Sequence, residues 1–102
     1  MTITVTIDIQ DGGQGQTWSV VANHPAEEAI RFTFNPSGLS NVTKLKALAA
    51  AFLTACDEVL ADQAFRSQTQ SPSVEAPREL AVAKTHMQTA SMWAVLGATK
   101  GL

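Results

Sequence analysis

The sequence predicts an α+β protein in which a small N-terminal antiparallel sheet of about three strands precedes a long antiparallel helical hairpin, the whole assembling into an oligomer. Three observations predict it. Residues 2–9, TITVTIDI, alternate apolar and polar side chains with the period of a half-buried strand. Two long segments, 41 to about 65 and 77 to about 99, repeat their apolar residues with the period of a helix. Between residues 78 and 99 only Arg78, Glu79 and Lys84 are formally charged, too little for a helix that faces water on most sides. At 102 residues the chain is read as a single domain, 1–102, with the sheet region over 1–38 and the hairpin over 39–102.

In the first strand Ile3, Val5, Ile7 and Ile9 share one face, and Thr2, Thr4, Thr6 and Asp8 the other. DGGQGQ, residues 11–16, is glycine-rich enough to predict a reversing loop. TWSVVA then resumes the β pattern with Trp18 and Val20 on one side, completing a hairpin. After a break at Asn23, His24 and Pro25, AEEA predicts one helical turn. IRFTFN puts Ile30, Phe32 and Phe34 on one face and Arg31, Thr33 and Asn35 on the other, which predicts a third strand. NPSG, residues 35–38, is turn chemistry, and Ser40 is placed to cap the helix that follows.

On the first long helix, 100° per residue gathers Val42, Leu45, Leu48, Ala49, Phe52, Leu53, Cys56, Val59 and Leu60 into one apolar arc. Thr43, Ala47, Ala50, Thr54, Asp57, Glu58 and Asp62 lie opposite, with Lys44 and Lys46 on the two borders. A polar, proline-containing connection at 67–77 follows, and Pro77 suits the first turn of the second helix. That helix predicts three faces. Leu80, Ala83, Met87, Ala90 and Ala94 are small enough to approach the first helix closely, Val82, His86, Trp93 and Leu96 lie beside them, and Arg78, Thr85, Gln88, Met92 and Thr99 form the third. Two helices of about 20 residues make a rod of ~30 Å, longer than one small sheet can cover, so other copies of the chain are the expected cover.

Charge and residue types exclude several functions. A net charge of -2 with 7 scattered basic residues lacks the basic stripe that long nucleic acids require. A small phosphate ligand needs only one or two cations. The single cysteine, Cys56, rules out an internal disulfide framework and a cysteine-rich zinc site. His24 and His86 have no metal-ligand spacing, and no apolar run approaches the ~20 residues of a membrane span. No cofactor or metal is expected, and nothing in the spacing assembles an acid/base pair or a nucleophile.

Arg78, Thr85 and Gln88 are the candidate site, a guanidinium, a hydroxyl and an amide along one face, suited to a phosphate and a base edge. The alternative is an interhelical hydrogen-bond network in an oligomer with no small ligand. Lys46, on the border of the apolar arc, would lie at the rim of an intersubunit groove.

FNPSG, a helix containing KLKALAAAFLTA, and a second helix with Arg78, Thr85, Gln88 and Met92 in an R-x6-T-x2-Q-x3-M pattern followed by WAV together resemble a known family. It is the helical-hairpin family of phage anti-defence sponges, which act against the Thoeris and CBASS systems. The resemblance covers residues 32–100 best, and the strands ahead of the hairpin look like the anti-Thoeris branch. It implies binding and sequestration, without cleavage, of cyclic ADP-ribose isomers or cyclic di- and trinucleotides. It also implies dimers joined into hexamers with pockets between subunits, acting in the cytoplasm of the infected bacterial host. By position, Arg78 would contact ligand phosphate, and Lys46 resembles a lysine that contacts cyclic dinucleotides. Phe34, Asn35, Thr85 and Gln88 would complete the ligand-binding set, and Arg31 joins it from its place beside the turn. The anti-CBASS branch stacks an N-terminal tyrosine on its ligand, and this chain has no tyrosine. The rival from the enzyme class is a phosphodiesterase that destroys the same signals.

Overall fold

The computed structural model describes residues 3–11, 14–35, 38–66 and 76–101. Strands β1 (Thr4–Asp11) and β2 (Gln14–Val21) form a two-stranded antiparallel sheet, followed by helices α1 (His24–Ala29), α2 (Ser40–Arg66) and α3 (Ala76–Ala98). The α+β order of sheet and then helical hairpin is therefore as the sequence predicts. The strands run further into the glycine-rich segment than expected, pairing as far as Asp11 with Gln14.

The alternation in β1 settles the pairing. Val5 lies opposite Val20 and Ile7 opposite Trp18, all on one face. The other face is tied by polar pairs, Thr6 Oγ1 with Ser19 Oγ at 3.2 Å and the Thr17 hydroxyl donating to Asp8 Oδ1 at 2.8 Å. Only the base of this ribbon enters the core, where Ile3 and Ala22 pack with Ala26, Ile30, Ala49, Ala50 and Leu53.

The third strand read over 30–35 is not a strand. α1 begins at Asn23, whose Oδ1 accepts from the Ala26 N–H at 2.8 Å, and Pro25 falls in its first turn. The helix ends in a Schellman motif: the Phe32 N–H reaches the Glu27 carbonyl at 3.0 Å and the Arg31 N–H the Glu28 carbonyl at 3.1 Å. Ile30 and Phe32 both reach the core, one as the C-cap of the helix and the other just past the reversal. That shared inward direction mimics strand alternation in the sequence. Arg31 occupies the left-handed position of the motif with φ 52°, where glycine is usual and a side chain costs ~1–2 kcal/mol.

α2 starts without Ser40 as its cap. The Thr43 N–H bonds to the Leu39 carbonyl at 3.2 Å, so Leu39 is the boundary residue and Ser40 the first helical one. The helix is also rotated relative to its predicted arc. Ala50 and Thr54, expected on the polar face, are buried, while Leu48, Phe52 and Val59 are exposed. α1 and the base of the sheet press on the Ala50 and Thr54 side, and the Thr54 hydroxyl is satisfied there, accepting from the Asn23 N–H at 3.0 Å and donating to the Ala50 carbonyl at 2.9 Å. Leu45, Leu48 and Phe52 instead face Val5, Ile7 and Val20 across an apolar groove of about 440 Å³.

α3 lies along α2 but is turned as well. Leu80, Ala83, Met87 and Ala94 are half-buried as expected, whereas Ala90 is exposed and Ser91 is the buried residue of the helix. An ion pair absent from the sequence reading ties the helices together: Lys84 Nζ donates to Asp57 Oδ1 at 2.6 Å, and Asn23 Nδ2 donates to Asp57 Oδ2 at 3.1 Å. One carboxylate thus joins α3, α2 and the cap of α1. Both hydrogen bonds hold its pKa below the ordinary 3.8, the one from Lys84 most strongly.

Candidate functional site

Two polar concavities open along α3. The larger, about 510 Å³, is walled by Arg31 and Phe34 from the segment after α1, by Lys46 from α2, and by Gln88, Ser91 and Met92 from α3. The smaller, about 250 Å³, is lined in part by Asp57, Pro77, Lys84, Thr85 and Gln88. Gln88 belongs to both. Antiparallel helices explain the grouping, since the start of α2 lies beside the last turns of α3 and brings residue 46 next to residues 88–95.

Of the residues singled out from sequence, Arg31, Phe34, Lys46 and Gln88 share the larger concavity. Thr85 lines the smaller one, its hydroxyl donating to the Ala81 carbonyl at 3.1 Å. Arg78 is exposed near the start of α3, ten residues before Gln88 and so ~15 Å further along the axis. Asn35 stands behind the wall, where its amide donates to the Leu39 carbonyl and to Thr43 Oγ1, both at 3.1 Å, and shapes the entry to α2.

Lys46 is placed differently from its expected position on a solvated rim. The residue is only 5% exposed, and its ammonium donates to the Arg31 carbonyl at 2.8 Å and to the Phe34 carbonyl. It also lies 5.7 Å from the centre of the Phe34 ring, within reach of a cation–π attraction. Burial, with the Arg31 charge second, pushes its pKa below the ordinary 10.5. Two cations therefore stand side by side on this wall, and among the described residues no carboxylate lines it. Such a surface attracts anions.

Sequence reasoning put Met92 on the third face of the second helix without assigning it to the site, and it is 73% exposed and borders the larger concavity; the Asn23, Asp57 and Lys84 network it missed. Lys84 and Asp57 both fall in runs that look like ordinary solvated faces, and no one-dimensional spacing links them. Cys56 is buried, which raises its pKa and keeps the thiol protonated. Among the described residues no group of three His, Cys, Asp or Glu side chains could hold a metal ion, and no helix is long and apolar enough to cross a membrane.

A sheet-headed helical hairpin with an anion-attracting concavity beside its second helix defines the class. The model of the Acb2/Tad1 hairpin domain matches residues 24–99. The chain belongs to that family, the phage anti-CBASS and anti-Thoeris cyclic-nucleotide sponges. The match begins at α1, so the sheet lies ahead of the shared hairpin. No curated protein and no solved structure matches the chain.

Proposed function

We propose that this protein binds and sequesters cyclic nucleotide immune signals, cyclic ADP-ribose isomers or cyclic di- and trinucleotides, without cleaving them, and so keeps a Thoeris or CBASS effector inactive in the infected host cell. Family membership is the observation that carries the reading. The site supports it: the concavity beside α3 supplies positive charge for phosphate, the Gln88 amide for a base edge and the Phe34 ring for stacking. Arg78 lies too far along α3 to join this wall within one chain, and Thr85 lines the neighbouring concavity that shares Gln88. In our reading they complete the pocket in an assembly of copies, a dimer or a trimer of dimers, and Asn35 supports the turn beside it. The exposed Val82, Met92, Trp93 and Leu96 on α3 favour such an assembly. The sheet ahead of the hairpin favours the anti-Thoeris branch.

Sequestration works by affinity and stoichiometry, and a Kd near 1 nM corresponds to ~12 kcal/mol. The test is to incubate the protein with a panel of cyclic ADP-ribose isomers and cyclic di- and trinucleotides, remove free ligand by filtration, denature the protein by heat and chromatograph what is released. Intact ligand in stoichiometric amount is the expected result. A converted product means an enzyme, and retention of none of the panel leaves a structural hairpin protein.

A further inference from the structure

The backbone at Arg31 carries an inference about how the cationic wall is divided between its two cations. Arg31 sits at φ 52° in the glycine-favoured position of the α1 cap. A side chain kept at a strained backbone position is a pointer to function. The strain is held from outside the motif. The ammonium of Lys46 donates to the carbonyls of Arg31 and Phe34, the two ends of a turn that is itself closed by the Phe34 N–H bonding to the Arg31 carbonyl at 2.9 Å. Lys46 is buried, with its ammonium committed to backbone oxygens, while Arg31 is exposed on the same wall. Among the described residues no acidic side chain forms an ion pair with Arg31.

We propose that Arg31 is the cation that takes a ligand phosphate on this wall, and that Lys46 is its positioning residue, the strut that fixes the turn from 31 to 34 and never touches the ligand. A guanidinium presents a planar fork that matches two phosphate oxygens. The strut holds both this fork and the Phe34 ring at the concavity before any ligand arrives, which lowers the ordering cost of binding. The class of ligand group is a phosphodiester or pyrophosphate. The assignment of that group to a signalling nucleotide rests on the sponge reading, and the division of roles between Arg31 and Lys46 does not.

The experiment is a double-mutant cycle on the full chain, with inorganic pyrophosphate as a first probe and the panel of cyclic nucleotides as a second. Arg31→Gly relieves the backbone strain and is expected to keep the fold while weakening pyrophosphate by about tenfold or more. Arg31→Lys should retain part of the affinity. With pyrophosphate, which has no base to stack on Phe34, Lys46→Met should weaken binding in the wild-type background and cost nothing further in the Arg31→Gly background, because it acts on that probe through Arg31. In the wild-type protein the Lys46 ammonium resonance should stay in place on saturation while the Arg31 Nε–H resonance moves.

An equal loss from Lys46→Met in both backgrounds, movement of the Lys46 signal alone, unchanged binding by Arg31→Gly, or no pyrophosphate binding at all would each overturn the assignment. Should Lys46→Met fail to fold, the Gly and Lys variants of Arg31 and the two resonances still decide it. If pyrophosphate obeys the cycle but no cyclic nucleotide is retained, the sponge reading falls and the assignment stands. If cyclic nucleotides are retained equally by wild type and Arg31→Gly, the assignment falls and the sponge reading stands.

Discussion

The two helices of the hairpin are both long and both poor in charge, yet the structure treats them differently. α2 buries Val42, Lys46, Ala49, Ala50, Ala51, Leu53, Thr54 and Cys56 against α1, the base of the sheet and α3. Among its described residues α3 buries only Ser91 and leaves Trp93 68% exposed together with Val82, Met92 and Leu96. The lesson is that low charge reports how much cover a helix requires, not where the cover comes from. One chain supplies most of it for α2, leaving Leu48, Phe52 and Val59 exposed. On α3 far more of the apolar surface stays uncovered among the described residues, which is the physical argument for the assembly proposed above.

The comparison breaks most visibly at Leu53, which is fully buried. Leu53→Ala is expected to lower the unfolding free energy by ~2–5 kcal/mol. Leu96→Ala on the uncovered helix should cost less than half as much at low protein concentration. Urea titrations of both variants at two concentrations read the contrast, and equal losses at every concentration would mean that α3 is as well covered as α2.

Trp93→Glu sharpens the second half of the comparison. Helical content should persist, because Trp93 supports little within the chain, while sedimentation should report a smaller assembly than for the wild type. A wild-type protein that already sediments as one chain would remove the premise.

The Asn23 side chain joins both regions, capping α1 and donating to Asp57, the partner of Lys84 on α3. Asn23→Ala should cost ~1–2 kcal/mol, at the upper end for a cap because the second hydrogen bond goes with it. Thermal melts compared with those of Glu28→Ala, a change on the same short helix away from the cap, isolate the effect.

The smallest expected effect is a pH dependence of the link between the helices. The folded state holds the Asp57 carboxyl below its ordinary 3.8, so between the two values the unfolded chain binds more protons. The contribution is therefore complete above that ordinary value and is lost as pH falls through the folded one. The pair is partly exposed, so the effect is modest and weakens with salt. Asp57→Asn should flatten the acid limb of a stability profile as pH falls below the ordinary carboxylate range, and an unchanged limb would assign the acid sensitivity elsewhere.

Reading the chain without its structure succeeded where a pattern is local and repeated. The alternation of TITVTIDI and the helical period of both long segments survive in the structure as β1, α2 and α3, with ends shifted by one or two residues. Reading failed where two different backbones produce the same inward pattern. Ile30 and Phe32 point to the core from opposite sides of a helix cap, which one-dimensional spacing cannot distinguish from a strand. The candidate site shows the same division. Gln88 was singled out by its chemistry, Lys46 by its border position, Phe34 by the family resemblance and Arg31 by its place beside the turn, and the structure brings all four to one concavity, but the burial of Lys46 was hidden because the carbonyls it serves belong to a turn that the sequence reading took for a strand.

By itself the sequence determined the class of fold, the order of sheet and hairpin, and the kinship, because periodicity and turn chemistry act between residues a few positions apart. Tertiary structure alone decided which side of each helix is covered, which cation is buried and which is presented, and that Asp57 binds Lys84. Those outcomes depend on contacts between residues 12 to 34 positions apart, whose geometry is set by how the elements pack and not by the spacing within any one of them.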